Sequence, residues 1–279
     1  MREISSEKIE LAVKKCCINA NVFLPEDIKQ AIEKAYNEEQ GIAKEILSQL
    51  KENYSIAESE MMPVCQDTGM AVVFCEIGQD VHITGKAFEQ AIIDGVKSGY
   101  EEGYLRKSVV IDPLNRVNTK DNTPPVIHVK IVPGENIKLT VAPKGFGSEN
   151  MSAVKMLKPS DGRQGVVDFV LETVKKAGSN PCPPVVIGIG IGGTMEKAAE
   201  LSKEALMRPV NESNPDEFYK ELEDELLEKI NALGIGPSGL GGKTTALGVN
   251  ILKFPTHIAG LPVALNMSCH VTRHQTVVL

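Results

Sequence analysis

The stretch Met61–Gly78, "MMPVCQDTGMAVVFCEIG", is where the chain changes from helical to strand-like patterning. A proline and a glycine flank Cys65, Gln66 and Asp67, so the backbone is predicted to bend there. The apolar run from Met70 onward predicts a buried strand. Three reactive side chains therefore stand on a turn at the start of a strand, a setting that a hydrolase, a metal site or a redox disulfide could use.

The residues before this stretch, from 5 to about 60, are predicted to form helices. Ser5 or Ser6 can cap the first helix, Pro25 can begin the second, and "GIAKEILSQLKEN" predicts a third. The apolar face of the first helix consists of Ile9, Val13, Cys16 and Cys17. We interpret the adjacent cysteines as core residues, because cysteine packs as a small apolar group.

The residues after it alternate strands and helices. "PPVIHVKIVPGENIKLTVAPKG" predicts a β-hairpin in which His128 faces solvent or a partner. "PPVVIGIGIGG" predicts a strand followed by a helix from Thr194 to Met207, and "GVVDFVLETVKKAG" predicts another helix. An acidic helix is capped near Asp216 and ends at Gly234. Its predicted buried stripe is Phe218, Leu222, Leu226 and Ile230.

These elements indicate an α+β (mixed α/β) fold. We expect one catalytic domain over residues 1–279, with a helical head at about 1–60 and a mixed body at about 61–279. The 30 basic and 37 acidic residues give a net charge of −7, which argues against nucleic acid or an anionic membrane as partner. The N-terminal sequence lacks the apolar core of a signal peptide, so we expect a cytoplasmic protein with reduced thiols.

Three glycine-rich motifs are candidate anion sites. "GIGIGG" (188–193) fits a dinucleotide pattern, but no acid-terminated second strand follows it. "GPSGLGGKTTALG" (236–248) has Pro237 where a P-loop needs glycine, and no strand precedes it. In "KGFGSEN" (144–150), Ser148 or Asn150 could cap a helix. Together, these turns favour a small acidic substrate, with Lys243 beside the second one.

Three cysteines stand on loops beside strands, whereas Cys75 lies within an apolar run and is expected to be buried. The loop cysteines are Cys65, Cys182 and Cys269. Three thiolates suit a soft metal centre, either zinc or an iron–sulfur cluster. Zinc with His270 or His274 is the alternative, although structural zinc sites usually have closely spaced ligand pairs.

Six stretches together carry a resemblance to a known family. They are "PVCQDTG", "PKGFGSEN", "NPCPPVVIGIGIGGT", "GLGGKTTALGV", "THIAGLPVALNMSCHVTRH" and the helical head. In this order they resemble the α subunit of two-chain class I iron–sulfur fumarases and the related L(+)-tartrate dehydratases. The resemblance covers almost the whole chain. One departure is Phe146, which replaces the middle glycine of the family's "KGGGSEN".

The resemblance implies a set of site residues. It implies that Cys65, Cys182 and Cys269 hold a [4Fe–4S] cluster that has one iron without a cysteine ligand. It also implies that Gln66 and Asp67 face the substrate. The residues implied to bind the substrate are Arg106, Gly145, Gly147 and His257.

The implied activity is reversible hydration of fumarate to malate, with a separate β subunit in an α2β2-type assembly. The abrupt end of the chain beside its motifs agrees with a partner that supplies another wall of the site. The family's proton-abstracting base is attributed largely to the β part, so we expect the α chain alone to be inactive. Two alternatives are an L(+)-tartrate dehydratase α subunit and, from a different class, a zinc-structured binding subunit.

Overall fold

The computed structural model describes residues 2–279 and has the α+β fold that the sequence predicts. The chain forms two compact units. The first contains residues 2–24, Tyr54–Phe146 and Arg273–Leu279, and the second contains Pro25–Asn53 and Gly147–Thr272. The division into a head at 1–60 and a body at 61–279 stays a prediction.

Residues 2–279 contain eight α-helices and ten β-strands. The helices are α1 Ser6–Val22, α2 Glu26–Glu38, α3 Gly41–Ser59, α4 Phe88–Glu102, α5 Phe146–Glu149, α6 Gly162–Ala177, α7 Met195–Ala205 and α8 Glu217–Asn231. The strands are β1 Arg2–Ser5, β2 Met70–Gly78, β3 Val81–Thr84, β4 Val126–Val132, β5 Ile137–Lys144, β6 Ala153–Leu157, β7 Val185–Gly192, β8 Ala246–Phe254, β9 Leu261–Ser268 and β10 Gln275–Val278. No helix in this part of the chain combines the length and apolar character needed to cross a membrane.

The first unit contains a four-stranded sheet in the order β10-β5-β2-β4, and this order shows that the predicted hairpin is wrong. β4 and β5 do not pair with each other. Instead, β2 lies between them, parallel to β4 and antiparallel to β5. The reason is burial: β2 is apolar on both faces, whereas most side chains of β4 are at least partly exposed, so β4 takes the edge position.

The core of the first unit forms where α1 and α4 pack on this sheet. The predicted face of α1 is buried, from Ile9 to Cys17, and Cys75 of β2 is buried with it. The prediction that these thiols are core residues is confirmed. His128 lies beside the Phe74 ring, with the two ring centroids 5.0 Å apart.

The second unit is built on a sheet in the order β6-β9-β7-β8. A Cβ atom at Gly188 or Gly190 would collide with backbone carbonyls of α7, so these glycines allow α7 to pack closely on β7. Ile187 and Ile189 alternate with them and join the core formed with α6 and α8. Close helix packing therefore accounts for the glycines of "GIGIGG" without a nucleotide.

Two local predictions need correction. The helix predicted after "KGFGSEN" is only the four residues of α5, and Asn150 caps nothing because the chain then enters β6. Phe218 does not belong to the buried stripe of α8, since 55% of it is exposed. By contrast, the cap at Asp216 is confirmed: its carboxylate accepts the backbone N–H of Phe218.

Candidate functional site

In the first unit, the residues Cys65–Gly69 form a bend that leads directly into β2. Gly69 has a φ of +75°, and a Cβ atom there would lie 2.7 Å from backbone atoms of Lys144. Only glycine fits this position without strain. The single hydroxyl hydrogen of Tyr100 is shared between the carbonyls of Thr68 and Gly69, at 2.8 and 3.0 Å.

The carboxylate of Asp67 is engaged on both oxygens. Oδ1 accepts the backbone N–H of Gly69 at 3.0 Å, and Oδ2 accepts that of Phe146 at 2.9 Å. Gly145 lies against the same carboxylate, because a Cβ atom at Gly145 would be 3.2 Å from Oδ2. The phenylalanine in "KGFGSEN" therefore keeps the backbone donor, while its ring is 48% exposed.

Arg106 also lies beside this loop. Its backbone N–H donates to Oγ1 of Thr68 at 2.9 Å, and the residue is exposed, so the guanidinium remains accessible to an anion. The first unit thus brings Cys65, Asp67, Gly145 and Arg106 around one bend. The Sγ atom of Cys65 lies 3.5 Å from Oε1 of the exposed Gln66.

A residue that the sequence did not assign, Arg273, also holds this bend. Its Nη2 donates to the carbonyl of Asp67 at 2.6 Å, and only 4% of the residue is exposed. A lone arginine in "CHVTRH" cannot be distinguished from a surface charge by its neighbours in the sequence. Its burial after the end of β9 could be seen only in the fold.

The second unit brings Cys182 and Cys269 to one edge of its sheet. Cys182 precedes β7, and Cys269 follows β9. The two strands are antiparallel with Val186 opposite Ser268, so the start of one and the end of the other coincide. Nδ1 of His270 donates to the carbonyl of Cys182 at 3.0 Å, which joins the two thiol-bearing loops directly.

The six cysteines separate into two groups by exposure. Cys182 is exposed and Cys65 and Cys269 are partly exposed, whereas Cys16, Cys17 and Cys75 are buried. Burial raises the pKa of Cys16 to about 11 and that of Cys75 to about 12. Because metals bind the thiolate, the buried thiols are poor ligands. The three accessible cysteines are the predicted ligands, and their exposure is compatible with metal binding.

Among residues 2–279, no three His, Cys, Asp or Glu side chains are arranged to hold a metal ion. Cys65 belongs to the first unit and the other two predicted ligands to the second. The three-cysteine ligand set and the zinc alternative both stay predictions.

His257 lies at a different place in the second unit. Its loop connects β8 to β9, and the neighbouring Thr256 donates to the carbonyl of Gly193, just beyond β7. Cys182 stands at the other end of β7, whose length of 8 residues corresponds to about 23 Å. The structure therefore does not bring His257 together with Cys182 and Cys269 within one chain.

The glycine turn of "GPSGLGGKTTALG" (236–248) already binds a carboxylate of the chain itself. Oε1 of Glu39 accepts the backbone N–H groups of Lys243 and Thr244, both at 2.6 Å, and only 3% of Glu39 is exposed. In the same way, the carboxylate of Asp67 accepts the backbone N–H of Phe146. These amides therefore already bind internal carboxylates, and they do not indicate an acidic substrate.

Gly147, another predicted substrate-binding residue, lies in the second unit. A Cβ atom there would be 3.8 Å from the carbonyl of Asn180.

Comparison with known proteins gives a consistent picture. Residues 10–278 match the sequence model of the family described as "Fumarate hydratase (Fumerase)". The chain is 47% identical over 274 residues to "Putative L(+)-tartrate dehydratase subunit alpha" of Methanocaldococcus jannaschii, covering 95% of each chain. It is 31% identical over 261 residues to "L(+)-tartrate dehydratase subunit alpha" of Escherichia coli strain K12, covering 92% of this chain and 86% of that protein.

Proposed function

The chain belongs to the fumarate hydratase family, and from this membership we propose that it is the α subunit of a hydro-lyase that reversibly hydrates fumarate to malate. The family match over residues 10–278 carries this proposal. We further propose a cytoplasmic α2β2-type assembly, because the relatives named above are α subunits.

We propose that Cys65, Cys182 and Cys269 hold a [4Fe–4S] cluster. Support comes from their accessibility, from the contact between the Cys182 and His270 loops, and from the burial of the other thiols. When bound, the iron without a cysteine ligand supplies a Lewis acid to the hydroxyl that is added or lost. Every other role belongs to residues of the chain or of the β subunit.

The substrate is a small dicarboxylate, and Arg106 is proposed to bind one of its carboxylates through the planar guanidinium. Gln66, which is exposed beside Cys65, can donate its amide to a substrate oxygen. Gly145 and Gly147 are proposed to leave room for the substrate next to the backbone. Asp67 is proposed to take part in proton transfer while its carboxylate keeps the bend in place. The proton-abstracting base is proposed to come from the β subunit.

We propose that His257 acts in the site of a second α chain. The distance along β7 between its loop and Cys182 argues against a role in the site of its own chain. A second copy related by symmetry can present the loop to the other chain's cluster, which is the usual way that an isologous interface completes a site.

A second substrate, L(+)-tartrate, is favoured by the printed names of the relatives. The deciding experiment is coexpression with a β subunit, anaerobic purification and measurement of kcat/KM for fumarate, malate and L(+)-tartrate. A higher kcat/KM for fumarate and malate supports the proposal, and a higher value for tartrate supports the alternative. Stoichiometric zinc in a colourless, inactive protein would contradict both and favour a zinc-structured binding subunit.

A further inference from the structure

Three buried side chains hold the loop Cys65–Gly69 within the first unit, and only one of them is charged. The hydroxyl of Tyr100 lies within hydrogen-bond distance of the carbonyls of Thr68 and Gly69, and Asn122 donates to the same Gly69 carbonyl at 3.1 Å. Arg273 donates to the carbonyl of Asp67 at 2.6 Å. Tyr100 and Asn122 are fully buried, and 4% of Arg273 is exposed.

The guanidinium of Arg273 forms no ion pair with a carboxylate of the described residues. Its buried Nε also has no hydrogen-bond acceptor among residues 2–279. The nearby carboxylate of Asp67 accepts backbone N–H groups instead. A buried guanidinium remains protonated, and burying a charge is costly unless a negative group lies close enough to offset it.

We propose that Arg273 is a positioning residue for the iron–sulfur site: it holds the Cys65 loop in its bend and supplies a buried positive charge that offsets the negative charge of the cluster bound through the Cys65 thiolate. This inference rests on the proposed function, because the negative group that it identifies is the thiolate-bound cluster. Three thiolates on such a cluster leave a net negative charge, and nearby charges and hydrogen bonds set its reduction potential.

The test compares three variants that separate the charge from the hydrogen bond. R273M removes both, R273K keeps the charge on a side chain that lacks the planar fork, and Y100F removes a neutral hydrogen bond to the same loop. If R273M does not fold, R273Q replaces it, since glutamine is also neutral. Far-ultraviolet circular dichroism of each purified full chain establishes that it is folded.

The first measurement is hydrogen exchange of the backbone amides of residues 64–69 in the cluster-free chain. We expect R273M to exchange about tenfold faster than wild type, because the loop loses a hydrogen bond from a charged donor. R273K is expected to lie between the two, and Y100F also to exchange faster. Unchanged exchange in R273M would overturn the positioning role.

The second measurement is the reduction potential of the cluster in the anaerobic complex with the β subunit. Loss of a positive charge disfavours the reduced, more negative cluster, so R273M is expected to shift the potential downward while R273K and Y100F stay near wild type. Equal potentials for R273M and Y100F would overturn the charge role. If wild type assembles no cluster, the proposed function fails, yet the exchange experiment still decides the positioning role.

Discussion

Asp67 and Phe146 are joined across 79 positions of sequence by a hydrogen bond of 2.9 Å from the Phe146 amide to the Asp67 carboxylate. The same carboxylate accepts the Gly69 amide, so one side chain connects the bend after α3 with the start of α5. This residue therefore has a structural role in the chain without any ligand, in addition to the proposed role in proton transfer.

The substitution Asp67→Asn tests the structural role. An asparagine can accept only one of the two backbone N–H groups, and its amide hydrogens face the other one. We expect the free energy of unfolding of the cluster-free chain to fall by about 1–2 kcal/mol, as measured by urea denaturation. Asp168→Asn, on the exposed side of α6, is the control and should change it by less than about 0.5 kcal/mol. Equal stability of D67N and wild type would contradict the double hydrogen bond.

Gly69 allows a sharper test, because Gly134 provides a matched comparison. Both glycines have positive φ, +75° and +106°, but a Cβ atom meets backbone only at Gly69, whereas the space around Gly134 is open. We expect G134A to lower the free energy of unfolding by about 1–2 kcal/mol through backbone strain alone. G69A should cost clearly more, because the collision adds to the strain. Similar thermal denaturation midpoints for the two variants would contradict the added cost of the collision, because they would show that the backbone around residue 69 can shift to accept a Cβ atom.

Some of the fold could be predicted because it depends on local patterns. The periodicity of α1 identified its buried face, and the isolation of Cys65, Cys182 and Cys269 on loops separated them from the buried thiols. Strand pairing could not be predicted in the same way. The alternation in β4 and β5 shows that both are strands, but only the greater burial of β2 decides that it lies between them.

The functional interpretation of the glycine turns shows a similar limit. Free amides after glycine are typical of anion sites, but their partners here come from distant parts of the chain. Glu39 is 204 positions from Lys243, and no local pattern links the two. Arg273 was missed for the same reason, since its contact with Asp67 spans 206 positions.

Removing Glu39 should destabilise the turn that it fills. Glu39→Ala leaves the amides of Lys243 and Thr244 without their acceptor in a buried position. We expect a loss of about 2–4 kcal/mol in the free energy of unfolding, measured by chemical denaturation. The neighbouring Glu38 is exposed, so Glu38→Ala is the control and should have little effect. If added phosphate restores E39A more than it stabilises wild type, the emptied turn binds an anion; a wild-type stability for E39A would contradict the buried contact.

The two groups of cysteines should differ in reactivity. In the native, cluster-free chain, we expect iodoacetamide at pH 8 to modify Cys65, Cys182 and Cys269, because they are at least partly exposed. The buried thiols should react only after unfolding, since burial also raises the pKa of Cys16 to about 11. Peptide mass spectrometry measures each site. Anaerobic cluster assembly should then protect the three accessible thiols, and modification of Cys75 at a comparable rate would contradict the burial.

Mixed assemblies can test whether His257 serves a second α chain. Differently tagged H257A and C269S chains are coexpressed with the β subunit, and the assemblies that carry both tags are isolated. If His257 acts across the interface, the intact cluster of the H257A chain receives its histidine from the C269S chain, so mixed assemblies should show about half of the wild-type activity per α pair. A mixture of wild type with C269S, expected to give the same half, is the control. If His257 acts within its own chain, the H257A chain lacks the histidine and the C269S chain lacks a cluster ligand. Activity no higher than that of the two separate variants would therefore contradict the role across chains.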